Sequence, residues 1–244
     1  MQDQYVGDIG DYAKYSLLGA LSHDRRLGVS WYLFPDEGTN DGKHTKYLCD
    51  PGKWQQFDKR TFDFLSDVVN LGKRRVSEIE RSGLFPGNTV FWNRKLDFHG
   101  CKRSGQGKWR DEWFRQSLEC LKDCDLVFAD PDNGLLKSEM FRPGRRKHAK
   151  SISECEAHTL ADRERPVVIY HHNTRFKGGH DAEVRHWLKR MGGRTCAVRW
   201  RHVSARTFFI CNCTRELEER ATAWCEEWKS PKVVFVNPNC GTGL

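Results

Sequence analysis

Residues 125–135 read Asp-Leu-Val-Phe-Ala-Asp-Pro-Asp-Asn-Gly-Leu, and this stretch limits the fold more than any other. Leu126 to Ala129 is a short apolar run, the pattern of a strand buried on both faces. It stops at once in Asp130-Pro131-Asp132-Asn133-Gly134. Pro131 has no N–H for a ladder, and Asn133-Gly134 tolerates positive φ, so the chain must turn there. Two carboxylates and a carboxamide are thereby set at the carboxyl end of a central strand. In open α/β sheets that edge is where ligands bind. Asp and Asn are also ordinary helix caps, but Asp130, Asp132 and Asn133 together favour a site.

The same arrangement occurs twice more. Val29 to Phe34 is aromatic and β-branched, as strands are, and runs into Pro35-Asp36-Glu37-Gly38-Thr39-Asn40-Asp41-Gly42. Val167 to Tyr170, after Pro166, runs into His171-His172-Asn173-Thr174-Arg175. Nearer the start, Gly7-Asp8-Ile9-Gly10 is turn-rich and leads into a helix that Asp11 can cap, with Tyr15, Leu18 and Leu21 on one face. Such a turn can bring backbone N–H groups and Asp8 toward a ligand.

Between the strands the period becomes helical. Residues 54–83 carry Phe57, Phe62, Leu65 and Val68/Val69. Asp111 can cap a helix with Trp113, Phe114, Leu118 and Leu121 inward, and Ser151 to Glu154 opens another. Asp181 to Met191 is helical, and Thr214 caps a last helix holding Leu217, Ala221, Trp224 and Trp228. Thr89 to Asp97, Cys196 to Arg201, Thr207 to Cys213 and Lys232 to Val236 read as strands, the middle two as a hairpin around residues 201–204. No fixed-period repeat and no linker divides the 244 residues. The alternation predicts a single α/β domain over 1–244. It is a three-layer sandwich with a mostly parallel, Rossmann-like sheet, helices on both faces and a C-terminal antiparallel hairpin.

A net charge of +8 and a pI of about 9.0 favour a polyanionic partner, nucleic acid first. Two loops concentrate the cations. Residues 99–110 mix glycines with Lys102, Arg103, Lys108 and Trp109, a composition suited to phosphates and a base. Residues 141–150 hold Arg145, Arg146 and Lys147, the densest positive cluster, just after the Asp-Pro-Asp-Asn strand. The ten cysteines lack a secreted spacing, Met1-Gln2-Asp3-Gln4 is polar, and no run approaches the roughly 18 apolar residues of a membrane span. A cytoplasmic protein with reduced thiols and no membrane association is expected. Cys120/Cys124 and Cys211/Cys213 lack metal-site spacing, so no metal is expected.

The order of elements resembles that of Rossmann-type nucleic-acid methyltransferases. A helix precedes the first strand, a late hairpin spans 196–213, and Asp130-Pro131-Asp132-Asn133 stands where those enzymes carry an Asp-Pro-Pro-Tyr-type motif. That resemblance implies S-adenosylmethionine, but the first strand runs into acids rather than a glycine-rich loop. A second resemblance is to the uracil-DNA glycosylase superfamily, with Asp130-Pro131-Asp132 like its water-positioning turn and His171-His172-Asn173 like its His-containing segment. The resemblance implies hydrolysis of an N-glycosidic bond of a flipped, modified base, with defence against phage DNA as a setting and no cofactor. On that expectation Asp130 or Asp132 orients water and His171 or His172 supports the leaving base. Asn133 and Asn40 read base edges, and Tyr170 or Trp109 stacks. Asp8, Asp36, Asn173 and Arg175 complete the binding set. A third class is a Mg²⁺-dependent nuclease built on Asp36, Glu37, Asp41, Asp130 and Asp132.

Overall fold

The computed structural model describes residues 1–38 and 42–238. In chain order the regular elements are α1 (Ile9–Leu21), β1 (Leu27–Ser30), α2 (Pro51–Trp54), α3 (Lys59–Asn70), α4 (Val76–Arg81) and β2 (Val90–Trp92). There follow α5 (Gln106–Cys120), β3 (Leu126–Ala129), β4 (Gly134–Leu136), α6 (Arg146–Ala149), β5 (Ser151–Ser153) and α7 (Glu154–Ala161). The last are β6 (Val167–His172), α8 (Gly179–Met191), β7 (Cys196–Trp200), β8 (Arg206–Cys211), α9 (Arg215–Glu227) and β9 (Val233–Val236). Seven strands form one sheet in the order β2-β1-β3-β6-β8-β7-β9. The first four are parallel; β8 runs antiparallel to β6 and β7, and β9 antiparallel to β7.

Side-chain alternation along the strands divides the core into two layers. Leu126 and Phe128, Val168 and Tyr170, and Phe208 and Ile210 pack toward α1, α3 and α9. Val127 and Ala129, Val167 and Ile169, and Phe209 and Cys211 pack toward α5, α7 and α8. This is the expected α/β sandwich, with the expected hairpin as β7 and β8. No helix among the described residues is long and apolar enough to cross a membrane.

Several boundaries differ from the sequence reading. β1 ends at Ser30, not Phe34: Trp31 and Tyr32 are buried, but Tyr32 has φ +45°, which leaves extended backbone. Asp8, not Asp11, caps α1, accepting from the Gly10 N–H at 2.9 Å. α5 begins at Gln106, five residues before Asp111. The expected helix begins at Glu154, and Ser151 to Ser153 before it is a strand that pairs with β4 in a small parallel sheet. Ser153 then closes a capping box with Glu156 at the head of α7.

The chain goes from β1 outward to β2 and then returns, so that β3 lies on the other side of β1. Strand order reverses between β1 and β3, which makes the crevice beyond their carboxyl ends the favoured ligand position.

Candidate functional site

A cavity of about 400 Å³ opens at this edge, within the range of small-molecule pockets. Its floor comes from α1 and the end of β3. Asp130 continues the alternation of Leu126 and Phe128, so its side chain faces α1. There Lys14 Nζ donates to Asp130 Oδ2 at 2.8 Å and to Asp11 Oδ1 at 2.9 Å. All three groups are buried. Burial lifts the Asp11 carboxyl from 3.8 to about 6; Lys14 opposes the rise and Asp130 adds to it. Burial works against the Lys14 charge, but Asp11 and Asp130 outweigh it and hold the ammonium above its ordinary range. The second Asp11 oxygen, Oδ2, is buried without a hydrogen-bond partner.

Asp132 is ion-paired with the Met1 amino group and accepts from Gln2 Nε2 at 2.7 Å. Asn133 is fastened to the basic segment: its Nδ2 donates to the Lys147 carbonyl at 2.7 Å and its N–H to the Lys150 carbonyl at 3.1 Å. Asp130, Asp132, Asn133 and Asp8 therefore border one cavity.

The adjoining wall comes from β6 and β8. Tyr170 and His172 lie on the cavity side of β6, the Tyr170 hydroxyl 3.3 Å from His172 Nδ1. Burial raises the Tyr170 phenol, partly offset by Arg206 and Lys14. His172 is pushed below the ordinary imidazole range by desolvation and by Arg206. Arg206 is the ladder partner of His172. Its guanidinium lies where a Cβ on Gly10 would come within 2.5 Å of Cζ, so glycine at position 10 leaves the space it fills.

The alternation that brings His172 into the cavity turns His171 and Asn173 away from it. His171 Nδ1 accepts the Leu135 N–H at 3.0 Å, so Nε2 carries the proton toward Glu183 Oε1 at 3.2 Å. Asn173 donates to Glu183 Oε2 and accepts from the Thr207 hydroxyl. Glu183 is buried, which favours its neutral form, yet His171 and the hydroxyl and N–H of Thr174 hold it down at about 2. Gly134, with φ +76°, is required here, since a Cβ would sit 2.4 Å from His171 Nδ1. His171 is thus a strut between β4, β6 and α8, not a cavity group as the sequence reading had it. Arg175 is exposed and outside the cavity lining.

The loop after β1 is also used differently. Asp36 Oδ1 accepts the Gln4 N–H at 3.1 Å, and Glu37 pairs with Lys150 and Arg146. Neither lines the cavity. Asn40 and Asp41 lie outside the described residues. Among the described residues no three His, Cys, Asp or Glu side chains are grouped to hold a metal ion. Asp36, Glu37, Asp130 and Asp132, which a nuclease would turn to Mg²⁺, are engaged instead with the partners named above. Trp109 packs on Phe98 with Arg94 over its ring, away from the cavity. Lys102, Arg103, Lys108, Arg145, Arg146 and Lys147 are all exposed. Gln106 lies against Gly144, so the two basic stretches adjoin.

Asp11, Lys14, His44 and Arg206 line the cavity but were not singled out from the sequence as site residues. Asp11 and Lys14, three apart on one helix, are the signal that was present; Arg206 gave none. No protein-family model matches this chain, and no curated protein matches it.

Proposed function

We propose that the chain hydrolyses the N-glycosidic bond of a base extruded from DNA into this cavity. The observation that carries the proposal is the cavity's lining: the buried Asp11–Lys14–Asp130 group lies beside Tyr170 and His172 at one sheet edge. Glycosidic cleavage develops positive charge on the sugar and negative charge on the base; carboxylates suit the first and hydrogen-bond donors the second. Asp130, positioned by Lys14, faces the sugar. Asp11, with a carboxyl at about 6, is mostly ionised at neutral pH and close to the ideal for a general base. In the reaction water's oxygen bonds to C1′, its proton passes to Asp11, and the C1′–N bond breaks with its electron pair leaving on the base. His172 donates to that base and Tyr170 stacks beside it.

A second reading, methyl transfer to a base amine, is favoured by one observation. The parallel strands β2-β1-β3-β6 keep the doubly wound order, and the reversed hairpin follows them as that resemblance implies. The residues after β1 do not fit a methyl donor. Residues 1–4 occupy the loop's polar groups: Phe34 N–H donates to the Met1 carbonyl, Glu37 N–H to Gln2 Oε1 and Gln4 N–H to Asp36. Among the described residues, no helix of more than about one turn begins between β1 and Lys59.

The test is formation of alkali-labile abasic sites in plain and naturally modified DNA by wild type and Asp130→Asn. Abasic product from wild type, lost in Asp130→Asn with DNA affinity kept within a few-fold, is expected. Absence of abasic product on every DNA, with calorimetric binding of S-adenosylmethionine, would replace this reading by the second.

A further inference from the structure

The glycosidic chemistry leaves two of the three nitrogens of the Arg206 guanidinium without an acceptor. Its side chain is 5% exposed, its nearest carboxylate contact is Asp8 Oδ1 at 3.4 Å, and Nε and Nη1 have no hydrogen-bond partner. The Trp200 ring lies 5.2 Å away and offers only its face. Buried donors are almost always satisfied, and a charged donor left open is expensive. A group so placed, lining a cavity, is a donor set for a ligand's acceptors.

The adjoining helix does not supply the anion site. The first four N–H groups of α1 are already taken: Ile9 by the His44 carbonyl, Gly10 by the Asp8 side chain, Asp11 and Tyr12 by the Asp8 carbonyl. Recognition therefore falls on side chains. His172 stands across the ladder from Arg206, and Ser204, two residues before it, also lines the cavity. His172 is exposed, so this corner is the open end of the cavity, where a strand's backbone would pass. We infer that Arg206, with Ser204 and His172, forms a subsite for a phosphoryl group, the phosphodiester flanking the extruded base. A guanidinium, a hydroxyl and an imidazole suit a tetrahedral acceptor with several oxygens. The close Asp8 carboxylate favours the singly charged diester over a dianion. The assignment of the strand as ligand rests on the base-extrusion reading; the phosphoryl subsite itself does not.

The experiment compares binding of a short single-stranded DNA with the same strand carrying one neutral methylphosphonate beside the target base, to wild type and to Arg206→Gln. Inorganic phosphate and a nucleoside 5′-monophosphate serve as competitors. The neutral linkage should weaken wild-type binding about tenfold or more, and Arg206→Gln should weaken the native strand similarly while losing sensitivity to the linkage. Competition by the monophosphate with no effect of the linkage would leave the subsite but assign it to a free nucleotide. Equal wild-type affinity for both strands with no competition by phosphate overturns the subsite, and needs no variant to fold. Phosphate binding without abasic product would overturn the glycosidic reading and spare the subsite.

Discussion

Replacing Lys14 by methionine keeps most of the side-chain length and removes the one cation that Asp11 and Asp130 both touch. Breaking a buried ion pair by deleting one partner costs about 3–5 kcal/mol, because a charge is stranded. The wild-type structure sets the scale independently. Raising Asp11 from 3.8 to about 6 places a penalty of about 3 kcal/mol on its ionised form even with Lys14 present. The folded value lies above the unfolded one, so the folded state binds the proton more tightly. The stability gained from protonation is complete below the unfolded value and is lost as pH rises through the folded one. Without Lys14, which lowers it, the Asp11 carboxyl is pushed higher and the penalty at neutral pH grows. Lys14→Met should therefore lose about 3–5 kcal/mol at pH 8 and markedly less at pH 5. Urea unfolding followed by the fluorescence of the nine tryptophans, at pH 5, 6.5 and 8 with unchanged slope, measures this. A loss below about 1 kcal/mol, or one independent of pH, would refute the buried three-group arrangement.

The rate of abasic-site formation should rise through pH 6 as Asp11 loses its proton; Asp11→Asn should flatten that limb and lower the rate by about 10²-fold or more. His171→Gln should lose about 1–3 kcal/mol in urea unfolding by leaving the Leu135 N–H and Glu183 poorly matched. His172→Gln should stay within about 0.5 kcal/mol of wild type while lowering product formation. Neutralising Arg145, Arg146 and Lys147 should flatten the log–log salt dependence of DNA binding by up to about 0.7–0.9 for each phosphate they neutralise; an unchanged slope would show that these side chains do not touch the backbone.

The sheet and its layers were readable because short apolar runs bounded by Pro, Asp and Gly repeat along the chain. The turn at 130–134 was readable for the same reason. Which imidazole faces the cavity was not readable from His171-His172 as a pair. Adjacent strand residues point oppositely, and the parity is fixed only once β6 is placed between β3 and β8. Asp8, which borders the cavity as expected, also takes the capping role read for Asp11, because either can cap a helix and the geometry depends on where the left-handed Gly7 lets the chain turn. Arg206 was invisible because it meets Asp8 across 198 residues, a separation that no local pattern reports. Asp36 and Glu37 do not line the cavity because their partners, Gln4, Arg146 and Lys150, are brought to them by the fold alone.

The small sheet of β4 and β5 stitches the 130–134 turn to the polypeptide that carries the densest positive cluster, through the Asn133–Lys150 and Asn133–Lys147 bonds. A pull on residues 145–147 therefore has a short mechanical route to the carboxamide at the cavity wall. Grip on a polyanion outside and alignment of the groups inside share one tether, so a lesion in β5 should loosen both at once.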